Sequence, residues 1–139
     1  MLDPMRTSLL SVLLLLAAPA VAGLFGGNDA PGRIPVPARD FSAVVEDRGG
    51  VRTELQRVSY DGEVYLFGTL GAAQVTVPFE EIDVVGFEPT DDPDTVTAVV
   101  RTIAGETVRI QVEADRPVYG KTHFGNFKIA SSDVRQLDL

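Results

Sequence analysis

The sequence has no cysteine and no tryptophan, and its single histidine is His123. Without cysteine the chain cannot form disulfides, iron–sulfur clusters, thiolate zinc sites or thiol nucleophiles. One histidine cannot supply a multi-histidine zinc or copper site. No glycine-rich phosphate loop stands before a helical pattern. We therefore predict that the protein is not an enzyme and that it has no catalytic residues.

His123 is followed in the sequence by Ser131, Ser132 and Asp133, a combination that brings a catalytic triad to mind. A working triad also needs an oriented base, an oxyanion hole and a substrate pocket. A short hairpin segment indicates none of these three features. We interpret His123 as an exposed residue of a turn.

Positive charge is missing from the middle of the chain: no lysine or arginine occurs between Val58 and Val100. The same stretch contains nine aspartates and glutamates, and the whole chain has a net charge of −8. Such an excess of negative charge repels nucleic acids and anionic lipid surfaces. We predict that nucleic acid is not a partner.

Three of these carboxylates, Asp91, Asp92 and Asp94, form a candidate calcium site. Calcium prefers several carboxylate oxygens, and exported proteins meet it at useful concentrations. The spacing lacks the alternating aspartates and the glycine of an EF-hand loop. The alternative is a solvated acidic connection, which Pro89 and Pro93 would suit. No other cofactor is expected.

The long apolar run is confined to residues 9–21. It is shorter than the about 20 apolar residues that a transmembrane helix needs. It ends at Ala20-Val21-Ala22, where small residues occupy the positions that signal peptidase reads. We predict a signal peptide over residues 1–22, an exported periplasmic or extracellular protein, and no transmembrane segment in the mature chain. Residues 23–40 contain four glycines and three prolines, which predicts a flexible tether.

From Phe41 onward apolar and polar residues alternate, and turns rich in glycine and aspartate separate the runs. A period of two is typical of β-strands, and no window has an apolar stripe at helical spacing. The pattern occurs twice, because residues 65–87 align without a gap on 117–139 and residues 41–55 align on 96–110. We predict repeat 1 over 41–87, an acidic connection over 88–95 and repeat 2 over 96–139.

A repeat of about 45 residues cannot bury enough apolar surface to be stable alone. The two repeats should therefore share one core, and we predict an all-β sandwich or flattened barrel with pseudo-twofold symmetry. Two small Sm-like or SH3-like barrels, one per repeat, are the alternative. Both repeats break their alternation before the last strand, which predicts a short turn or bulge there. Val77 and Ile129 are expected at equivalent buried positions.

The closing segment, residues 120–129, has the pattern Gly-x-Thr-x-Phe-Gly-x-Phe-x-Ile and is followed by Asp133-Val134. This pattern resembles a hairpin of uncharacterised exported bacterial β-repeat proteins that have no assigned activity. The resemblance covers this hairpin fully and the first repeat loosely. It implies an architecture, and it implies no catalytic or binding residues.

Two functions are compatible with these features. We prefer an exported, non-catalytic envelope protein, an interaction or structural module whose sheet edges or acidic face bind another envelope or extracellular protein. A second copy of the chain could also be the partner. The alternative is a periplasmic protein that binds a small ligand or calcium.

The signal peptide yields a direct test. We expect the mature N-terminus within one or two residues of Gly23, because Ala20 and Ala22 form the cleavage pattern. N-terminal sequencing of the protein from an exporting host measures it. A mature protein that starts at Met1 or Met5 would contradict the prediction.

Overall fold

A computed structural model describes residues 31–139. The predicted signal peptide and the first part of the predicted tether lie outside the described residues. The described chain forms ten β-strands, with the bounds β1 Ala43–Asp47, β2 Arg52–Tyr60, β3 Tyr65–Leu70, β4 Ala73–Pro78, β5 Ile82–Pro89, β6 Thr95–Thr102, β7 Thr107–Glu113, β8 Pro117–Thr122, β9 Gly125–Ala130 and β10 Val134–Asp138. Single-turn 3₁₀ helices at Phe79–Glu81 and Ser131–Asp133 precede β5 and β10.

The prediction of an all-β protein is confirmed, since residues 31–139 contain no α-helix. Within this part of the chain no helix has the length and apolar character needed to span a membrane. The two 3₁₀ helices occupy the places where the broken alternation predicted a turn. The first residue of each helix, Phe79 or Ser131, is buried. After the helix, the apolar side chains of the following strand point into the core.

The strands follow from the alternation of their side chains. In β7, Ile110 and Val112 are buried, whereas Arg109, Gln111 and Glu113 point outward. The flanking turns depend on glycine where the backbone must adopt a positive φ. In β1–β2 this is Gly50, with φ 87°, and in β6–β7 it is Gly105, with φ 94°. These two glycines are paired in the sequence alignment.

All ten strands belong to one curled antiparallel sheet, a half-barrel, in the order β4-β3-β7-β6-β5-β10-β1-β2-β8-β9. If β1 to β5 exchange numbers with β6 to β10, so that β1 becomes β6 and β6 becomes β1, the same strand order results, read from the opposite edge of the sheet. The topology therefore has pseudo-twofold symmetry about the pairing of β5 with β10.

The hairpins are exchanged between the halves of the chain. The β3–β4 hairpin pairs with β7 of the second half, and the β8–β9 hairpin pairs with β2 of the first half. This is not the arrangement of one small barrel per repeat. Each half depends on the other to complete its sheet, in agreement with the expectation that the two share a core.

One hydrophobic cluster of buried residues draws on every strand except the edge strands β4 and β9. Its largest fully buried side chains are Tyr60, Phe79, Phe87, Leu55, Leu66, Ile110 and Leu137. Val77 and Ile129, which we expected to be buried, are half-buried and pack against this cluster. The two positions are equivalent, since Val77 lies opposite Leu66 and Ile129 opposite Val118, but the expected full burial was wrong because both residues lie on edge strands, where no further strand covers their outer side.

Residues 31–40, which we name the arm, form no strand but lie against the sheet. Pro37 is buried and Ile34 is half-buried. The Asn126 side-chain amide donates to the carbonyl oxygens of Pro31, at 3.1 Å, and Gly32, at 3.3 Å. Arg39 pairs with Glu80. This described part of the predicted tether is thus in contact with the body of the domain, and its flexibility stays a prediction.

The close approach of β3 to β7 yields a stability test. A Cβ at Gly68 would lie 2.2 Å from the carbonyl oxygen of Gln111, whereas a Cβ at Gly86 would lie 4.0 Å from its nearest neighbour. Gly68→Ala should lower the free energy of unfolding by about 2–3 kcal/mol, because the β7 backbone must shift. Gly86→Ala should stay within about 0.5 kcal/mol of the parent. Urea denaturation measures both, and equal effects would contradict the register of β3 on β7.

Candidate functional site

An open cleft of 850 Å³ lies between the β3–β4 hairpin and β7. We name it the acidic cleft. The turn before β3, which carries Asp61 and Glu63, and the turn after β7, which carries Arg116, complete its walls. Its lining consists of Asp61, Glu63, Tyr65, Phe67, Gly68, Thr69, Gln74, Val75, Thr76, Thr95, Gln111, Val112, Glu113 and Arg116.

The cleft exists because β3 and β7 meet at one point and then separate. Their ladder contains the single pair Thr69 and Gln111. Gly68 lets the two backbones approach there, since a side chain would strike the Gln111 carbonyl. No other residue pair joins the two strands, and Tyr65, Phe67 and Glu113 line the cleft beside this single pair. The floor is fixed in part by Gln111, whose amide donates to the Thr97 hydroxyl at 3.0 Å.

Arg116 is the central side chain of the cleft. Its guanidinium donates to Asp61 at 2.8 Å and to Glu113 at 2.5 Å. It also lies over the ring of Phe67, 4.5 Å from the centroid, where the negative face of the ring attracts the cation. With 21% of the side chain exposed, Arg116 is largely shielded from water, so these contacts are screened less than ordinary surface pairs.

The cleft is negatively charged because three carboxylates face one cation. Asp61, Glu63 and Glu113 carry three negative charges, and Arg116 carries the one positive charge among the lining residues. Arg116 neutralises part of Asp61 and Glu113, while Glu63 is exposed at the rim. A cleft with low-dielectric walls and an excess of negative charge attracts positively charged groups. The arrangement is suited to a cationic group.

Aromatic rings form the other wall. Phe67 packs edge to face with Tyr60 at 5.2 Å and with Tyr65 at 5.7 Å between centroids. Desolvation raises the pKa of the Tyr65 hydroxyl, and the neighbouring carboxylate of Glu63 raises it further. Tyr65 therefore stays a neutral hydrogen-bond donor across the physiological range. Rings with an apolar body and a polar tip are common in binding surfaces.

Tyr60 lies behind Phe67 and is fully buried. Burial raises the pKa of Tyr60 to about 12, although the nearby hydroxyl of Ser131 acts in the opposite direction. The two hydroxyl oxygens are 3.4 Å apart. The Ser131 hydroxyl donates to the carbonyl oxygen of Arg116 at 2.6 Å. The turn that carries Arg116 is thereby tied to the core.

The three aspartates of the predicted calcium site lie on the exposed turn between β5 and β6. The Asp92 carboxylate accepts the backbone N–H of Asp94 at 2.9 Å, so it caps its own turn. Across residues 31–139 there is no group of three histidines, cysteines, aspartates or glutamates placed to hold a metal ion. The structure does not bring Asp91, Asp92 and Asp94 together as a ligand set.

His123 lies in the β8–β9 turn, exposed, with its ring edge to face with Phe124 at 5.0 Å. Ser131 lies at the far end of β9. Six strand residues separate them, which is about 20 Å of extended chain. The Ser131 hydroxyl is engaged by the Arg116 carbonyl. The structure therefore does not bring His123 together with the serines and Asp133.

The acidic cleft was not foreseen from the sequence as a site. The stretch without lysine and arginine indicated an acidic face and included Asp61 and Glu63. Glu113 and Arg116 belong to the second half, and Asp61 is 55 residues from Arg116 in sequence. The available signal was the coincidence of Tyr65 and Phe67 on one strand beside those carboxylates.

These features define an all-β domain with one acidic, aromatic-walled cleft. A family model described as "Uncharacterised protein" matches residues 37–139. The chain belongs to this family of uncharacterised proteins, and the match spans the whole sheet. No curated protein and no solved structure matches the chain.

The burial of Tyr60 can be tested through the pH dependence of the free energy of unfolding. The folded state holds the tyrosine proton with a pKa of about 12, against 10.0 in the unfolded chain. This stabilisation is complete below pH 10 and is lost as the pH rises toward 12, because only the unfolded state releases the proton in that window. Between pH 9 and pH 11 the loss should be about 1.4 kcal/mol.

Urea denaturation at the two pH values measures this loss. Tyr60→Phe should reduce the difference by that amount, whereas Tyr119→Phe serves as the matched control. If the parent and Tyr60→Phe lose stability in parallel, Tyr60 is not the buried group described above.

Proposed function

We propose that this protein is an exported, non-catalytic interaction module of the cell envelope, and that its acidic cleft binds an extended, positively charged segment of another protein. The observation that carries the proposal is the cleft itself: Asp61, Glu63 and Glu113 outnumber Arg116, and Phe67 and Tyr65 form a wall beside them. Cationic side chains can pair with the carboxylates while apolar parts of the segment cover the rings.

An extended segment has a second place to bind beside the cleft, because β4, which contributes to one wall, is an edge strand whose free side faces away from β3 and β7. Among the described residues β4 pairs with β3 on one side and has no neighbour on the other. Its backbone groups on that side can accept a further strand. Edge strands are commonly protected by lysine or proline; β9, at the opposite edge, carries Lys128, whereas β4 carries no charged residue and has proline only at its last position, Pro78.

Proline-rich segments fit the same surface. They adopt an extended polyproline conformation without internal hydrogen bonds and dock on aromatic-lined grooves. The cleft has Phe67 and Tyr65 for the proline rings and acidic groups for adjacent arginines. This chemistry favours a proline-rich, arginine-containing peptide over an acidic or uniformly apolar one.

The location in the envelope rests on the sequence. The predicted signal peptide, and the resemblance of residues 120–129 to exported bacterial β-repeat proteins, support export to the periplasm or the cell exterior. A small-ligand protein is the second reading, since 850 Å³ lies within the usual range of ligand pockets. Such pockets bury most of the ligand among apolar side chains, whereas the acidic cleft is open and lined by charges. We therefore favour the peptide.

Fluorescence anisotropy with a labelled peptide tests the proposal. The probe is a capped Pro-Arg-Pro-Val-Pro-Arg-Pro peptide, and the matched probe has glutamate in place of both arginines. We expect the arginine peptide to bind and the glutamate peptide not to bind. Added salt should weaken the interaction, because exposed charges are screened.

A charge reversal in the cleft provides the control. Glu63→Lys should weaken binding about tenfold, equivalent to about 1.4 kcal/mol. Glu106→Lys makes the same charge change on the exposed β6–β7 turn and should leave binding unchanged. Equal binding of both peptides, no binding of either, or equal effects of the two variants would overturn the proposed function.

A further inference from the structure

The arm occupies the place that corresponds, by the pseudo-twofold symmetry, to the acidic cleft. In the cleft, β3 pairs with β7 through Thr69 and Gln111. In the other half, β8 pairs with β2 through Lys121 and Gln56. Thr69 and Lys121 are equivalent in the sequence alignment, and Gln111 and Gln56 become equivalent when the alignment of 41–55 on 96–110 is extended by one residue. The hollow beneath the arm is lined on the sheet side by Lys121, Asn126 and Arg57, the same corner of the second surface.

The two equivalent surfaces differ in what covers them. Beneath the arm the remaining hollow measures 250 Å³, whereas the acidic cleft measures 850 Å³. Residues 32–37 line the smaller hollow, with Pro37 buried and the Asn126 amide bound to the arm carbonyls. A short proline-rich segment thus already lies on this type of surface within the chain.

Charge favours the acidic cleft as the better site for this segment. Between Pro31 and Arg39 the arm has two arginines and no acidic residue. In its own position Arg33 lines a hollow together with Lys121 and Arg57, and Asp40 offsets only one of these charges, by pairing with Arg57 at 3.8 Å. The acidic cleft offers Asp61, Glu63 and Glu113 instead. Because Arg39 already pairs with Glu80, Arg33 is the arginine expected to reach these carboxylates.

In its observed position the arm does not enter the cleft of its own molecule. Pro35 packs on the β2–β3 turn, 3.2 Å from the position of a Cβ at Gly62. The preceding residues, Pro31 and Gly32, contact Asn126. The arm is held mainly at Pro37, which is buried, and by the Asn126 amide, whereas the Val36 side chain is 83% exposed. A segment that buries little apolar surface can leave its site at small cost.

We propose that the acidic cleft takes residues 31–38 of a second copy of this chain, so that the protein assembles by exchange of arms. The proposal rests on the peptide-binding function of the cleft and names its occupant. Reciprocal exchange gives a closed pair with twofold symmetry, and one-way docking gives an open chain of molecules. In both cases the contact joins Arg33 of one copy to Glu63 and its neighbours in the next.

Sedimentation velocity on the mature protein, residues 23–139, tests the exchange across a range of concentrations. The parent should self-associate. Arg33→Glu and Glu63→Lys should each raise the dissociation constant at least tenfold, because each places like charges in contact. The double variant Arg33→Glu with Glu63→Lys should recover most of the association, since the pair is complementary again. Glu106→Lys should behave as the parent.

The absence of cysteine allows a second, geometric readout. A molecule with Gly32→Cys is mixed with a molecule carrying Gln74→Cys in the cleft, under mild oxidation, because Gln74 is equivalent to Asn126, which contacts Gly32 in the arm's own position. The proposal predicts a disulfide-linked heterodimer, and it predicts a much lower yield when the partner carries Glu106→Cys. Equal yields would overturn it.

The outcomes separate this inference from the function on which it rests. If the arginine peptide binds the cleft but the mature protein stays monomeric, the exchange of arms is wrong and the peptide-binding function stands. If the protein associates but Glu63→Lys has no effect, the exchange is also wrong. If neither the peptide nor the arm binds, both proposals fail.

Discussion

The fold depends on the pairing of each hairpin with a strand from the other half. The long strand β2 would expose its edge if β8 were removed, and β7 would expose its edge if β3 were removed. Edges of this kind aggregate when they are left open. The exchange also closes the core, because Leu66 of β3 and Ile110 of β7 are buried in the same cluster. Neither half can therefore be stable without the other, and the domain should unfold as one cooperative unit.

This exchange also creates the site. Had the β3–β4 hairpin paired with β2, its carboxylate neighbours Asp61 and Glu63 would not face Glu113 and Arg116. Arg116 is the point where the two halves are joined chemically. Its carbonyl accepts the Ser131 hydroxyl, its guanidinium pairs with Asp61, and its charge lies over Phe67. A single residue thus connects the core, the acidic rim and the aromatic wall.

Local features of the fold were readable from the sequence, and pairing between distant strands was not. Alternation located the strands, and the broken alternation before β5 and β10 located the 3₁₀ helices. Alternation says which side of a strand is apolar but not which strand lies beside it. For that reason the exchanged hairpins were missed, and the burial of Val77 and Ile129 on the edge strands was overestimated. The calcium site at 91–94 was predicted from the number of carboxylates alone. In the structure the Asp92 carboxylate instead accepts the backbone N–H of Asp94 within the same turn.

The pseudo-twofold symmetry also shows why one of two equivalent surfaces stays open. The segment before β1 is the arm, which is free to run across the sheet as far as Pro31. The segment before β6 is the loop 90–94, and it is fastened at both ends, because Pro89 pairs with Val96 across the β5–β6 hairpin. A loop fastened in this way cannot reach its neighbouring groove. Chain connectivity, rather than side-chain chemistry, thus makes the two halves different. The arm covers the surface beside β8 and β2, whereas the equivalent surface beside β3 and β7 stays open as the acidic cleft.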